Sequence, residues 1–202
     1  MSKIKNIVFD FGGVLIDWNP HYLYRDYFKD EKEMDYFLEN ICTQTWNTEQ
    51  DRGRSFDDAV RILQKQYPEY HEAISLYRDG WQHMIKGEIK EGVDLLRRLK
   101  SEGYKIYGLT NWSAEKIGIA YDMFDFFSLF DGIVVSGEEK VIKPDRRIFE
   151  ILLARYDLKA EESIFIDDNL FNIKAAEDLG FNAILCDDFA RVNREVDRLL
   201  RS

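Results

Sequence analysis

Polar residues able to do chemistry stand where short apolar runs stop. Asp10 follows "IVF" (7–9), Thr110 and Asn111 follow "KIYGL" (105–109), and Asp167 and Asp168 follow "SIFI" (163–166). Ser136 closes "GIVVS" (132–136), and Lys143 lies just beyond it in "KVIKPD". Taken singly, these are helix caps and turn residues. Taken together they are three carboxylates, hydroxyls, an amide and an ammonium. Grouped carboxylate oxygens attract a hard divalent cation, and Mg2+ favours one or two carboxylates, waters and a substrate phosphate. A lysine adds to the neutralisation of phosphate charge, while hydroxyl and amide groups hydrogen-bond its oxygens. A remaining carboxylate is then free to attack phosphorus.

Such a set needs a frame that brings strand ends together. Five short apolar runs, the four above and "NAILC" (182–186), read as buried strands. Between them lie helical patterns. "GVDLLRRLKSEG" stops at Gly103, "RRIFEILLARYD" starts just after Pro144 near its first turn, and "NIKAAEDLG" stops at Gly180. Strands alternating with helices predict an α/β fold, a three-layer Rossmann-like parallel sheet whose ligands bind beyond the carboxyl ends of the strands.

Residues 18–87 interrupt this alternation. They show amphipathic helical patterns such as "FDDAVRILQKQY", preceded by Ser55 with Asp58 three residues on, and no strand is expected among them. "WNTEQDRGRS" (46–55) reads as a loop between helices, turning at Gly53. The expected organisation is a core of residues 1–17 and 88–202 with an inserted helical cap domain over 18–87.

The formal net charge of -10 argues against nucleic acid or acidic lipid as partner. No apolar stretch reaches the roughly 20 residues of a membrane helix. Cys42 and Cys186 form no metal or disulfide pattern, and His21, His71 and His83 show no metal spacing. A cytoplasmic monomer is the expectation.

The motifs "FDFGGVL", "LTNWS", "KPDRRIF" and "FIDDNLFNIKAAEDLG" resemble, in order, the four motifs of the haloacid dehalogenase-like (HAD) hydrolase superfamily. The resemblance covers nearly the whole chain and is nearest to the subfamily I members with a helical C1 cap. Within these it is most similar to the glucose-1-phosphate phosphatase-like branch. It implies Asp10 as nucleophile and metal ligand, the Gly12 carbonyl and Asp168 as Mg2+ ligands, and Asp167 acting through a metal-bound water. Thr110, Asn111 and Lys143 would hold the phosphoryl group. Two positions depart from the common pattern: Gly12 stands where many members carry an aspartate that serves as general acid–base, and Asn172 replaces an acidic residue.

The expected function is a Mg2+-dependent phosphatase acting on a small phosphorylated metabolite through an aspartyl-phosphate. A hexose 1-phosphate is an apt substrate, because its anomeric oxygen leaves with less help from an acid. The alternatives are a metal-independent 2-haloacid dehalogenase and a catalytically silent protein that binds a phosphorylated ligand or a partner. Asp17, Trp18, Trp46, Glu49 and Arg52 are the candidates for substrate selection in the cap.

Overall fold

A computed structural model describes residues 4–201. Its strands are β1 (Asn6–Phe9), β2 (Ile16–Trp18), β3 (Ile85–Glu88), β4 (Lys105–Thr110), β5 (Gly132–Val135), β6 (Ser163–Asp167) and β7 (Asn182–Leu185). The helices up to β3 are α1 (His21–Tyr27), α2 (Glu31–Asn40), α3 (Gln44–Asp51), α4 (Phe56–Gln66) and α5 (His71–Asp79). Beyond it follow α6 (Lys90–Ser101), α7 (Ile117–Met123), α8 (Ser136–Glu139), α9 (Arg146–Arg155), α10 (Leu170–Asp178) and α11 (Phe189–Arg201).

Five strands make one parallel sheet in the order β5-β4-β1-β6-β7. The strands read as continuous apolar runs because both sheet faces are covered. Along β1, Ile7 and Phe9 enter one apolar cluster while Val8 enters the other. In β6, Ile164 and Ile166 go to the first cluster and Phe165 to the second. The chain leaves β1 toward β4 on one side and later returns to place β6 on the other. That reversal makes a crevice at the carboxyl ends of β1 and β6, where ligands of such sheets bind. Asp10 and Asp167 stand at its two lips.

The structure differs from expectation in three places, two of them in the region up to β3. β2 and β3 pair antiparallel, with Ile16 opposite Glu88 and Asp17 opposite Gly87. So strands occur at both ends of the segment expected to be wholly helical. They are short and half polar, which hides them from pattern reading. Residues expected to be a loop from Trp46 form most of α3, whose first turn is capped by Thr43 Oγ1 accepting from Trp46 N at 3.0 Å. Finally, Pro144 lies outside α9; Asp145 is the cap, accepting from Arg147 N at 2.9 Å. Ser55 does cap α4, accepting from Asp58 N at 3.2 Å, and Gly53 does turn the chain with φ +100°.

Cys42 and Cys186 are buried free thiols. Among the described residues, no helix is long and apolar enough to cross a membrane.

Candidate active site

Asp10 continues the β1 ladder, its N–H donating to Ile166 O at 2.9 Å, so its side chain emerges at the sheet edge. Its Oδ1 accepts from Phe11 N at 2.7 Å and pairs with Lys143 Nζ at 2.9 Å. Lys143 is only 2% exposed. Its ammonium also meets Asp167 Oδ2 at 2.6 Å and donates to Leu109 O at 2.8 Å. A lysine buried this fully must be paired. Burial opposes its charge, but Asp10 and Asp167 outweigh that and hold its pKa above the ordinary value.

Asp10, Asp167 and Asp168 each offer an oxygen within 4.8 Å of the others. The three differ in how free they are. Asp167 is fully buried, and its oxygens are taken by Asn169 N, Asn172 Nδ2 and Lys143 Nζ. Asp168 is exposed and, among the described residues, has no side-chain hydrogen bond or ion pair with a neighbour. Burial pushes the Asp10 carboxyl up to about 7; Lys143 pulls it down, while Asp167 and Asp168 push it further up. Burial, then Asp167, raises Asp168 as well. Crowded carboxylates held at this cost fit a divalent cation, which would relieve the repulsion. The donor set, hard oxygens with room for water at Asp168, suits Mg2+.

Two glycines shape the turn behind Asp10. Gly13 has φ +73°, and a β-carbon there would collide with the Asp168 carboxylate. At Gly12 a β-carbon would meet nothing within 4 Å. Gly13 is therefore dictated by sterics, whereas Gly12 is not.

Thr110 is fully buried, and its Oγ1 has no hydrogen-bond partner among the described residues. A buried orphan hydroxyl costs free energy unless something else binds it. Asn111 lines the same cavity and also holds the Lys143 main chain. Its Oδ1 accepts from Lys143 N at 2.8 Å, and its Nδ2 donates to Lys143 O at 3.0 Å. It thereby clamps the main chain that carries the lysine.

A cavity of about 490 Å3 opens onto Asp10, Gly12, Lys143 and Asp168. Trp18, Trp81 and Trp112 form an apolar wall, with ring centroids 6.4 Å and 5.4 Å apart along the row. The indole Nε1 atoms of Trp18 and Trp112 are buried without hydrogen-bond partners among the described residues. The facing wall is α3, through Gln44, Asn47, Thr48 and Asp51. Their i, i+3, i+4, i+7 spacing puts them on one helix face.

Of the cap candidates, Trp18 lines this cavity and the others do not. Asp17 accepts from Tyr22 Oη at 2.8 Å, Trp46 packs edge-on to Tyr77, and Arg52 pairs with Glu49 at 3.5 Å. The α3 residues that do line it give little signal in the sequence, because a polar run without apolar periodicity reads as loop. Only their helical spacing signals a common face.

A family model for haloacid dehalogenase-like hydrolases matches residues 4–180. The sesquiterpene phosphatase astK of Aspergillus oryzae is 30% identical over 200 residues, covering 98% of each chain. A (S)-2-haloacid dehalogenase of Pseudomonas fluorescens is 24% identical over 198 residues, covering 90% of this chain and 83% of that protein. Among solved structures, the HAD family enzyme bt-2542 of Bacteroides thetaiotaomicron, in complex with magnesium and inorganic phosphate, superposes with a TM-score of 0.68. It is 22% identical, covering 94% of this chain and 98% of the other.

Proposed function

Since the chain belongs to the haloacid dehalogenase-like hydrolase family, we propose that it is a Mg2+-dependent phosphomonoester phosphatase. Its substrate on this reading is a small phosphorylated metabolite, and its intermediate an aspartyl-phosphate on Asp10. The observation that carries this is Lys143, buried between Asp10 and Asp167 at 2.9 Å and 2.6 Å, with Asp168 alongside. A site built to bind only a partner gains nothing from buried charges this costly.

Asp10, the Gly12 carbonyl and Asp168 would hold Mg2+, with Asp167 acting through water. The ion supplies charge neutralisation on the phosphoryl oxygens. An Asp10 oxygen attacks phosphorus while Lys143 balances the charge that gathers there. The orphan Thr110 hydroxyl donates to a phosphoryl oxygen. Asn111 keeps Lys143 in place. Residues 18–87 act as a cap over a core of 1–17 and 88–202, so leaving-group selection falls to the walls of the cavity. Phosphorylated sugars such as a hexose 1-phosphate, and phosphorylated terpenols like those suggested by the relative's name, are the classes to assay. A tryptophan row accepts the apolar face of either.

The dehalogenase reading is weaker, because Asp167 and Asp168 would repel the carboxylate of a haloacid. A metabolite panel assayed with Mg2+ and with EDTA tests the choice. Phosphate release that needs Mg2+ and is lost in Asp10→Asn supports the phosphatase. Chelator-resistant halide release from 2-chloropropionate overturns it, and phosphate release unchanged in Asp10→Asn overturns the role of Asp10.

A further inference from the structure

The α3 face brings one acidic side chain, Asp51, into the cavity that Asp10 and Gly12 share. Its surroundings are unlike those of the other carboxylates there. Among the described residues it has no cationic partner; Asn47 Nδ2 donates to its Oδ2 at 3.3 Å, and Ser113 contributes a backbone hydrogen bond. Lys143 is committed to Asp10 and Asp167. Arg52 is committed to Glu49, and Arg54 donates to Gln50 Oε1 and Trp46 O. On the α5 side Asp51 faces Tyr77, a phenol that stays neutral.

Its place is fixed from the core. The Ser136 hydroxyl donates to Asp51 O and accepts from Trp112 N at 2.9 Å, tying the end of α3 to the loop after β4. Gly53 follows in its positive-φ turn, against Gly137 O. The end of α3 is thus anchored to the core, and the Asp51 side chain lines the cavity with Asn47 Nδ2 on its Oδ2.

We infer that Asp51 is the proton donor to the leaving group, in the role that Gly12 leaves unfilled beside Asp10. This rests on the phosphatase reading above. Burial raises its pKa to about 7, near the working pH, where a large share of the carboxyl holds a proton and a general acid is most effective. In the first step an Asp10 oxygen bonds to phosphorus and the phosphorus–oxygen ester bond breaks. The departing oxygen takes the Asp51 proton and leaves as the free alcohol. In the second step a water gives a proton to the Asp51 carboxylate and attacks phosphorus. The Asp10–phosphorus bond breaks, freeing phosphate, the Asp10 carboxylate and a reprotonated Asp51.

The test compares substrates whose leaving groups differ in their need for a proton. Wild type, Asp51→Asn and Asp51→Asn combined with Gly12→Asp are assayed with Mg2+ on p-nitrophenyl phosphate and on a simple alkyl phosphate. An acid role predicts that Asp51→Asn loses about 10²–10⁴-fold on the alkyl phosphate, and at least tenfold less on the nitrophenyl ester. Gly12 has open space, so Gly12→Asp should fold and recover at least tenfold of the alkyl loss. Equal losses on both substrates, or no loss on either, overturn the proposal. A wild type inert toward both esters would instead remove the phosphatase reading beneath it. Thermal unfolding of each variant separates misfolding from lost acidity: a selective loss in a variant with wild-type Tm supports the role, and a loss that tracks a lowered Tm overturns it.

Discussion

The Asn111 carboxamide grips the Lys143 main chain from both sides, accepting from its N–H at 2.8 Å and donating to its carbonyl at 3.0 Å. A residue at the end of β4 thereby sets the backbone from which the buried ammonium reaches Asp10 and Asp167. Asn111→Ala should cost about 1–3 kcal/mol through two lost hydrogen bonds. It should lower kcat more than it raises KM, because the lysine moves while the cavity persists. Asn111→Asp keeps an acceptor for Lys143 N but turns an oxygen toward Lys143 O, so it should not rescue. Steady-state kinetics and urea unfolding of both variants check this.

Lys143→Met should destabilise the fold by about 3–5 kcal/mol, since it leaves Asp10 and Asp167 as buried, unpaired anions. The sign with pH is determinate. Without the ammonium the Asp10 carboxyl, already raised by burial, prefers the protonated form in the native state even more. The penalty is therefore largest above neutrality and shrinks as pH falls toward the ordinary carboxylate range. Urea unfolding at pH 5 and pH 8 should show a larger deficit at pH 8, and Mg2+ should recover part of it.

Asp51 gives the fold a pH dependence of its own. Its carboxyl is raised from 3.8 to about 7. Between those values the native chain holds a proton that the unfolded chain has released. Stability from this group is therefore lost as pH rises through that window and is flat above it. Asp51→Asn removes the dependence. Its stability relative to wild type should rise by something on the order of 2–4 kcal/mol from pH 4 to pH 8, read from denaturant midpoints.

The paired glycines should respond in opposite ways. Gly13→Ala forces a side chain into a left-handed backbone and against Asp168, costing about 1–3 kcal/mol or more and weakening Mg2+ binding. Gly12→Ala enters open space and should change stability by no more than about 0.5 kcal/mol. Thermal unfolding with and without Mg2+ resolves both.

Much of this fold and site is legible in the amino-acid sequence. The strands that carry Asp10, Thr110 and Asp167 are buried on both faces, so their apolar runs are unmistakable, and sheet logic puts their ends together. Gly103 and Gly180 mark helix ends because both adopt positive φ. What escaped was held by tertiary contacts instead. β2 and β3 are too short and polar to show a period. α3 consists of "QTWNTEQD", which has little apolar face and depends on the Thr43 cap and on Ser136 for its position. Asp51 escaped with it: one of two carboxylates in a polar run gives no hint that folding will dehydrate it. The clamp that Asn111 makes on the Lys143 main chain escaped for a related reason: its residue type gives no sign of a contact 32 positions along the chain.

The sheet order has one more consequence, for refolding. Asp10, Thr110 and Asp167 stand on three adjacent strands that lie far apart along the chain. Every pairing that joins them closes a long loop, the slow class of contact in folding. Lys143 and Asp167 lie only 24 residues apart, but Asp10 joins them only when β1 docks between β4 and β6. Metal capture and catalysis should return together and late, in step with the closing of the central strand between its two neighbours.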